Sequence, residues 1–282
     1  MTMAERIASY LVQVGSVTII QLFTLFGPGL ILVALLSQLS GYVQRLICSV
    51  IGVRSYLLLF GWLGTSIHEI GHALFAMIFG HRIVQFEPFK PDLKSGKLGQ
   101  VVIGHNGNSL YQQIGRFFVG VAPILFGTTM IFIALLILFQ TEMIELMQRI
   151  ALLNGTALEP DGGSLLYQTL AYSGAILAFV FTPAHLADWR FYVFLYLTFA
   201  IGSSISLSKP DIENAATGFT LLIVLMLLFN LVTLWQGGIA AGSFDLLSRS
   251  YAFFYVILAL ALVLNLLAAL ILLVPALVLS GR

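Results

Sequence analysis

Apolar segments of about 20 residues recur along this chain, and each is long enough to cross the hydrocarbon core of a membrane as a helix. They produce a sequence that is 59% hydrophobic and only 9% charged, whereas soluble domains carry roughly 25% charged residues. We therefore predict an all-α polytopic membrane protein with about six to seven transmembrane helices. The predicted spans are 17–39, 56–79, 117–139, 165–181, 191–205, 219–235 and 251–279.

The first predicted span is expected to be kinked or interrupted near Gly27-Pro28-Gly29. A polar link over 40–45 and a short interfacial segment over 46–53 should follow it. Because almost every residue belongs to the membrane region, we expect one membrane-embedded domain over 1–282, with its core at about 55–235. We expect a multi-pass protein of the plasma membrane, in contact with the lipid bilayer.

Charge and cysteine content exclude several classes of protein. The net charge is +1 and the few basic residues form no dense patch, so a nucleic-acid partner is not expected. Cys48 is the only cysteine, which excludes an internal disulfide and a cysteine-rich zinc module. A metal ion in this chain must therefore be bound by histidine and carboxylate side chains.

The second apolar segment contains the sequence His68-Glu69-Ile-Gly-His72. On a helix, residues four apart share a face, so His68 and His72 can bind one Zn²⁺ ion, and Glu69 can take a proton from a water bound to it. The competing interpretation is a set of polar side chains that pair with a neighbouring helix. Burial of two histidines and a glutamate without a metal would leave several polar groups to satisfy, which favours the zinc site.

A third zinc ligand must come from a distant part of the chain, because catalytic zinc sites use three protein ligands. Asp211 is the leading candidate, since it follows Pro210 and opens an apolar helix. Glu213 is its nearest competitor. The alternative role for Asp211 is to cap that helix. His185 and Asp188 are predicted to be a surface pair.

Residues 82–104 carry the only strand signal in the chain. The segments 82–89 and 98–104 have β-like patterns, and 90–97 between them is rich in turn-forming residues. We predict a β-hairpin at the edge of the membrane.

The order of these features resembles that of the site-2 protease family of intramembrane zinc metalloproteases. That family has a His-Glu-x-x-His helix, a membrane-associated β-hairpin, a span with a Gly-Pro pair and an aspartate ligand that opens a later helix. The chain matches the first feature fully at 68–72 and resembles the second at 80–104. In the third feature two residues separate Gly120 from Pro123. Near Asp211, the family has asparagine, proline and glycine where this chain has Ser203, Ser206 and Ile212.

The resemblance implies an intramembrane zinc endopeptidase that cleaves transmembrane segments of membrane proteins. It implies Glu69 as general base and His68, His72 and Asp211 as zinc ligands. Ser203 or Asn214 is expected to replace the substrate-binding asparagine of the family. Two alternatives remain open. One is a CAAX-type membrane zinc protease with Glu213 as third ligand, and the other is a non-catalytic zinc-binding membrane protein that binds client helices.

Overall fold

The computed structural model describes residues 2–92, 96–146, 148–149, 164–234 and 239–280, and these residues are predominantly helical. A two-stranded sheet is the only sheet among them. The elements in chain order are α1 (Met3–Ile51), α2 (Val53–Tyr56), a π-helical turn (Leu57–Gly61), α3 (Trp62–Ile78), β1 (Arg82–Glu87), β2 (Gln100–Gly104), α4 (Leu110–Gly120), α5 (Ala122–Leu138), α6 (Ser164–Val180), α7 (Pro183–Leu186), α8 (Trp189–Gly202), α9 (Lys209–Thr233) and α10 (Ile239–Ser280).

Helix α1 is longer than predicted and has no polar link inside it. It runs for 49 residues through Pro28, a length of about 74 Å at 1.5 Å per residue. The prediction that 40–45 is a link was wrong, because polar side chains there are satisfied within the helix. The Ser40 hydroxyl donates to the carbonyl of Leu36 at 2.7 Å, which removes the cost of burying it.

Three helices of the described chain are long and apolar enough to cross a membrane: α1, α9 and the part of α10 from Phe254 to Val278. The predicted span 117–139 is two helices, α4 and α5, which are bent by 57° at Val121 and count as a fourth span if taken together. The class of all-α membrane protein is therefore supported. The count of six to seven spans stays a prediction, since the apolar helices Ala171–Val180 and Trp189–Gly202 are shorter.

The β-hairpin lies where the sequence predicted it. Strands β1 and β2 are antiparallel, and their register runs from Arg82 opposite Gly104 to Glu87 opposite Gln100. Helix α3, which carries the His-Glu-x-x-His motif, ends at Ile78. Gly80 follows with a φ of 70°, a left-handed conformation that glycine adopts without strain. This turn places the hairpin directly after α3, and both strands pack against that helix.

A buried apolar core holds most of the helices together. It joins α1, α5, α6, α8 and α10, and among its fully buried side chains are Leu36, Leu135, Phe179, Phe194 and Leu260. His185 also belongs to this interior, so its prediction as a surface residue was wrong. The ring lies between Phe139 and Phe179, and Nδ1 is 2.7 Å from the carbonyl of Phe179. Its hydrogen bond to the backbone explains how an imidazole is tolerated there.

Candidate metal centre

Two histidines of α3 and an aspartate of α9 converge on one point. The Nε2 atoms of His68 and His72 are 3.2 Å apart. Asp211 Oδ1 is 3.2 Å from His72 Nε2, and Asp211 Oδ2 is 3.8 Å from His68 Nε2. All three ligand atoms lie within 4.8 Å of one another, and no other group of three His, Cys, Asp or Glu side chains in the described residues does so. The structure thus brings together the three predicted ligands.

The first turn of α9 explains how Asp211 is held. Ser208 is the N-cap of this helix, Asp211 is its third residue, and the two form a capping box. Asp211 Oδ2 accepts hydrogen bonds from the Ser208 backbone N–H at 2.8 Å and from its hydroxyl at 2.6 Å. Asp211 is therefore not the N-cap of α9, as the alternative interpretation had it; it supports the Ser208 cap through Oδ2 while its Oδ1 faces His72.

Backbone carbonyls orient both imidazoles. His68 Nδ1 is 2.9 Å from the oxygen of Ser204, and His72 Nδ1 is 2.8 Å from the oxygen of Val119. A carbonyl oxygen only accepts, so each neutral ring carries its proton on Nδ1 and presents the Nε2 lone pair to the centre. Sequence reasoning missed both carbonyls. Their positions near the ends of α8 and α4, where the last carbonyls of a helix lack helical partners, are the signal that points to them.

The donor set fits a zinc ion. With the protons on Nδ1, two nitrogen lone pairs and a carboxylate oxygen face each other at 3.2 Å, and such an arrangement repels unless a cation lies between them. Zinc–nitrogen bonds of 2.0–2.1 Å in tetrahedral geometry place neighbouring ligand atoms about 3.3 Å apart. The separation between the two Nε2 atoms and that between His72 Nε2 and Asp211 Oδ1, both 3.2 Å, match this value. His68 Nε2 lies 3.8 Å from the other carboxylate oxygen, Oδ2.

Glu69 lies beside this group and is 9% exposed. Among the described residues no hydrogen bond engages its carboxylate, which leaves the group able to accept a proton. The hairpin covers its stem at Gly99. A Cβ atom at Gly99 would lie 2.9 Å from Glu69 Cγ and 2.8 Å from the Pro88 oxygen, so only glycine permits this approach. Sequence reasoning did not single out Gly99.

Three further carboxylates, those of Glu87, Asp188 and Glu142, form ion pairs outside the membrane helices. The Lys90 ammonium lies 2.6 Å from Glu87 and holds the pKa of that carboxyl below its usual range. Arg190 bridges Asp188 and Glu142 at 2.7 and 2.9 Å, and its hydrogen bond likewise lowers the pKa of Asp188. These carboxylates are paired with cationic side chains and do not belong to the three-ligand group.

The remaining predicted site residues make contacts elsewhere. The Ser203 hydroxyl donates to the carbonyl of Ala200 at 3.0 Å. Asn214 Oδ1 accepts from the Arg116 guanidinium at 3.1 Å. Glu213 is exposed and is not part of the three-ligand group. The structure therefore favours Asp211 over Glu213 as third ligand, and no contact of Ser203 or Asn214 with the three ligands is present among the described residues.

Comparison of this chain with protein-family models, with curated proteins and with solved structures yields no match.

Proposed function

We propose that this protein is an intramembrane zinc endopeptidase of the site-2 protease kind, with transmembrane protein segments as substrates. The observation that carries the proposal is the convergence of His68, His72 and Asp211 beside Glu69. This arrangement has two imidazoles and a carboxylate for the metal, with a second carboxylate adjacent, as in the His-Glu-x-x-His peptidases. Asp211 lies on α9, which is long and apolar enough to cross a membrane, and this supports substrates in the membrane.

The roles of the residues follow from their contacts. When bound, zinc supplies Lewis acidity, which polarises a peptide carbonyl and lowers the pKa of a water molecule to about 7. Glu69 takes the proton from the attacking water and returns it to the leaving nitrogen as the peptide C–N bond breaks. Asp211 contributes the negative charge of the ligand set, and the two histidines keep their Nδ1–H groups on Val119 and Ser204.

The β-hairpin is a second feature that supports the proposal, because it can bind an extended substrate segment. Val84, Phe86 and Val102 on its two strands are apolar and exposed, and a two-stranded sheet has free backbone edges. A locally unwound transmembrane segment can add to such an edge as an extended strand. Because Gly99, which immediately precedes β2, lies against the stem of Glu69, a strand bound at this end of the hairpin would run next to the general base.

The first test is the Glu69→Gln variant. We expect it to retain zinc and to lose peptide cleavage by about 10²–10⁴-fold, because glutamine occupies the same volume but cannot accept the proton. The measurement is cleavage of single-span membrane reporters that the wild type cleaves, with zinc content determined on the same purified samples. Glu213→Gln is the matched control and should cleave normally.

Unchanged cleavage by Glu69→Gln would overturn the proposed mechanism. Stoichiometric zinc in a wild-type protein that cleaves no membrane segment would favour a non-catalytic protein that binds client helices. Loss of zinc in Glu213→Gln, with zinc retained in an Asp211→Asn variant, would favour the CAAX-type alternative.

A further inference from the structure

The carbonyl that orients His72 belongs to Val119, next to the break between α4 and α5. Val119 is the residue before Gly120, at which α4 ends, and α5 begins at Ala122 after the 57° bend. His72 Nδ1 approaches the oxygen of Val119 to 2.8 Å in a buried environment. In a regular helix this oxygen would accept from the backbone N–H of the residue four positions later.

The residue four positions after Val119 is Pro123, which has no N–H. Two positions earlier, the Val121 N–H donates to the Phe117 oxygen at 3.0 Å and is also directed at the Val119 oxygen, but a carbonyl oxygen has two lone pairs and can accept a second hydrogen bond. The bond that Pro123 would make cannot form. The proline therefore leaves the Val119 oxygen available to another donor, and the structure supplies the Nδ1–H of His72.

Close packing of α3 against this bend makes the contact possible. Gly71 precedes His72, and a Cβ atom at Gly71 would lie 3.2 Å from the Ala122 oxygen and 3.1 Å from Phe126 Cβ. A larger residue would separate α3 from α5 by a few tenths of an ångström. Gly71 thus lets α3 approach the bend, and Pro123 leaves the Val119 oxygen without a helical donor. Both features favour the hydrogen bond between His72 Nδ1 and Val119.

We propose that Pro123 is a positioning residue of the metal centre, which sets the tautomer and orientation of His72 through the carbonyl of Val119. This inference deepens the proposed function and rests on its zinc site. It applies to one ligand only, because His68 is held by the oxygen of Ser204, which follows the end of α8. Partners of this kind typically account for about 10–100-fold in metal affinity.

The test compares the full-length wild type with Pro123→Ala, which restores the missing N–H and allows α4 and α5 to form a continuous hydrogen-bond ladder. We expect zinc affinity, measured by competition with a chelator, to fall about 10–100-fold in the variant. Pro275→Ala is the matched control, since it restores an N–H inside α10, and it should bind zinc like the wild type.

The second readout is the exchange of imidazole Nδ1–H protons with solvent, measured by nitrogen-15 NMR on the zinc-loaded protein, which contains five histidines. In the wild type the His72 and His68 protons should both exchange slowly. In Pro123→Ala the His72 proton alone should exchange faster, a selective change that general loosening of the fold would not cause.

Wild-type zinc affinity in Pro123→Ala would overturn the inference. If that variant does not fold, the wild type still decides the question, because a His72 Nδ1–H that exchanges as fast as that of the exposed His105 also overturns it. A wild type without zinc would overturn the proposed function instead, and Nδ1–H exchange in that sample would still report on the Val119 contact.

Discussion

Asp211 combines two roles that are usually separate. Its Oδ2 accepts two hydrogen bonds from Ser208, which fixes the carboxylate at the first turn of α9, and its Oδ1 is directed at His72. A buried carboxylate is stable only when it is hydrogen-bonded or paired. The capping box supplies hydrogen bonds on one side, and the two imidazoles of the candidate metal centre face the carboxylate on the other.

We predict that Asp211→Asn lowers zinc affinity by more than the roughly 100-fold typical of losing a group that hydrogen-bonds to a ligand. Asparagine can still accept the hydrogen bonds of Ser208, so the helix cap should survive, but the negative charge and one ligand oxygen are lost. Metal content by elemental analysis and helicity by circular dichroism measure the two effects. Retention of full zinc content in Asp211→Asn would show that another group is the third ligand.

At the scale of elements, glycines set the distances between the helices that carry the site. A Cβ atom at Gly64 would overlap the oxygen of Ala200 and the hydroxyl of Ser204, so α3 can cross the end of α8 only with glycine there. A Cβ atom at Gly120 would lie 2.5 Å from the backbone carbonyl oxygen of Asp211. These crossings bring the three ligands, on two helices far apart in sequence, to one point.

We predict that Gly64→Ala destabilises the protein by about 1–3 kcal/mol, the usual cost of an added group in a close-packed interior. It should also weaken zinc binding, because displacement of α3 from α8 lengthens the contact between His68 and Ser204. Unfolding in detergent and chelator competition are the measurements. Gly15→Ala is the control, since a Cβ atom at Gly15 meets nothing within 4 Å, and equal effects of the two substitutions would contradict the prediction.

At the scale of the whole molecule, a buried polar contact ties the first helix to the helix of the third ligand. Asn230 on α9 is fully buried and donates to Thr18 Oγ1 at 2.8 Å and to Gln21 Oε1 at 2.7 Å, both on α1. In lipid, helices associate through close packing and through interhelical hydrogen bonds. Asn230 supplies two hydrogen bonds of this kind between α9 and α1. The contact therefore helps to fix α9 within the bundle.

We predict that Asn230→Leu lowers the free energy of unfolding by about 0.6 kcal/mol, the average for a hydrogen bond between membrane helices, and by no more than about 1.7 kcal/mol, the largest such value. Zinc affinity should be unchanged, because Asn230 lies about 29 Å along α9 from Asp211 at 1.5 Å per residue. Thr220→Val on the exposed face of α9 is the control. A stability equal to that of the control would show that the contact between α1 and α9 contributes nothing.

Local patterns predicted the elements whose causes are local. Apolar runs indicated membrane helices, alternation indicated the hairpin at 82–104, and the four-residue spacing placed His68 and His72 on one face of α3. The prediction of a polar link at 40–45 failed because serine hydroxyls bond within their own helix. The bend at Val121 was missed because apolar residues continue through it.

The sequence by itself thus determined the helical membrane character of this protein and two of its three ligands. Only the tertiary structure decided that Asp211 and not Glu213 completes the group, and that Val119 and Ser204 orient the imidazoles. The physical reason is range. Periodicity and composition act within a few residues, whereas these contacts join residues 47 to 136 positions apart along the chain, and their geometry depends on how closely the helices pack.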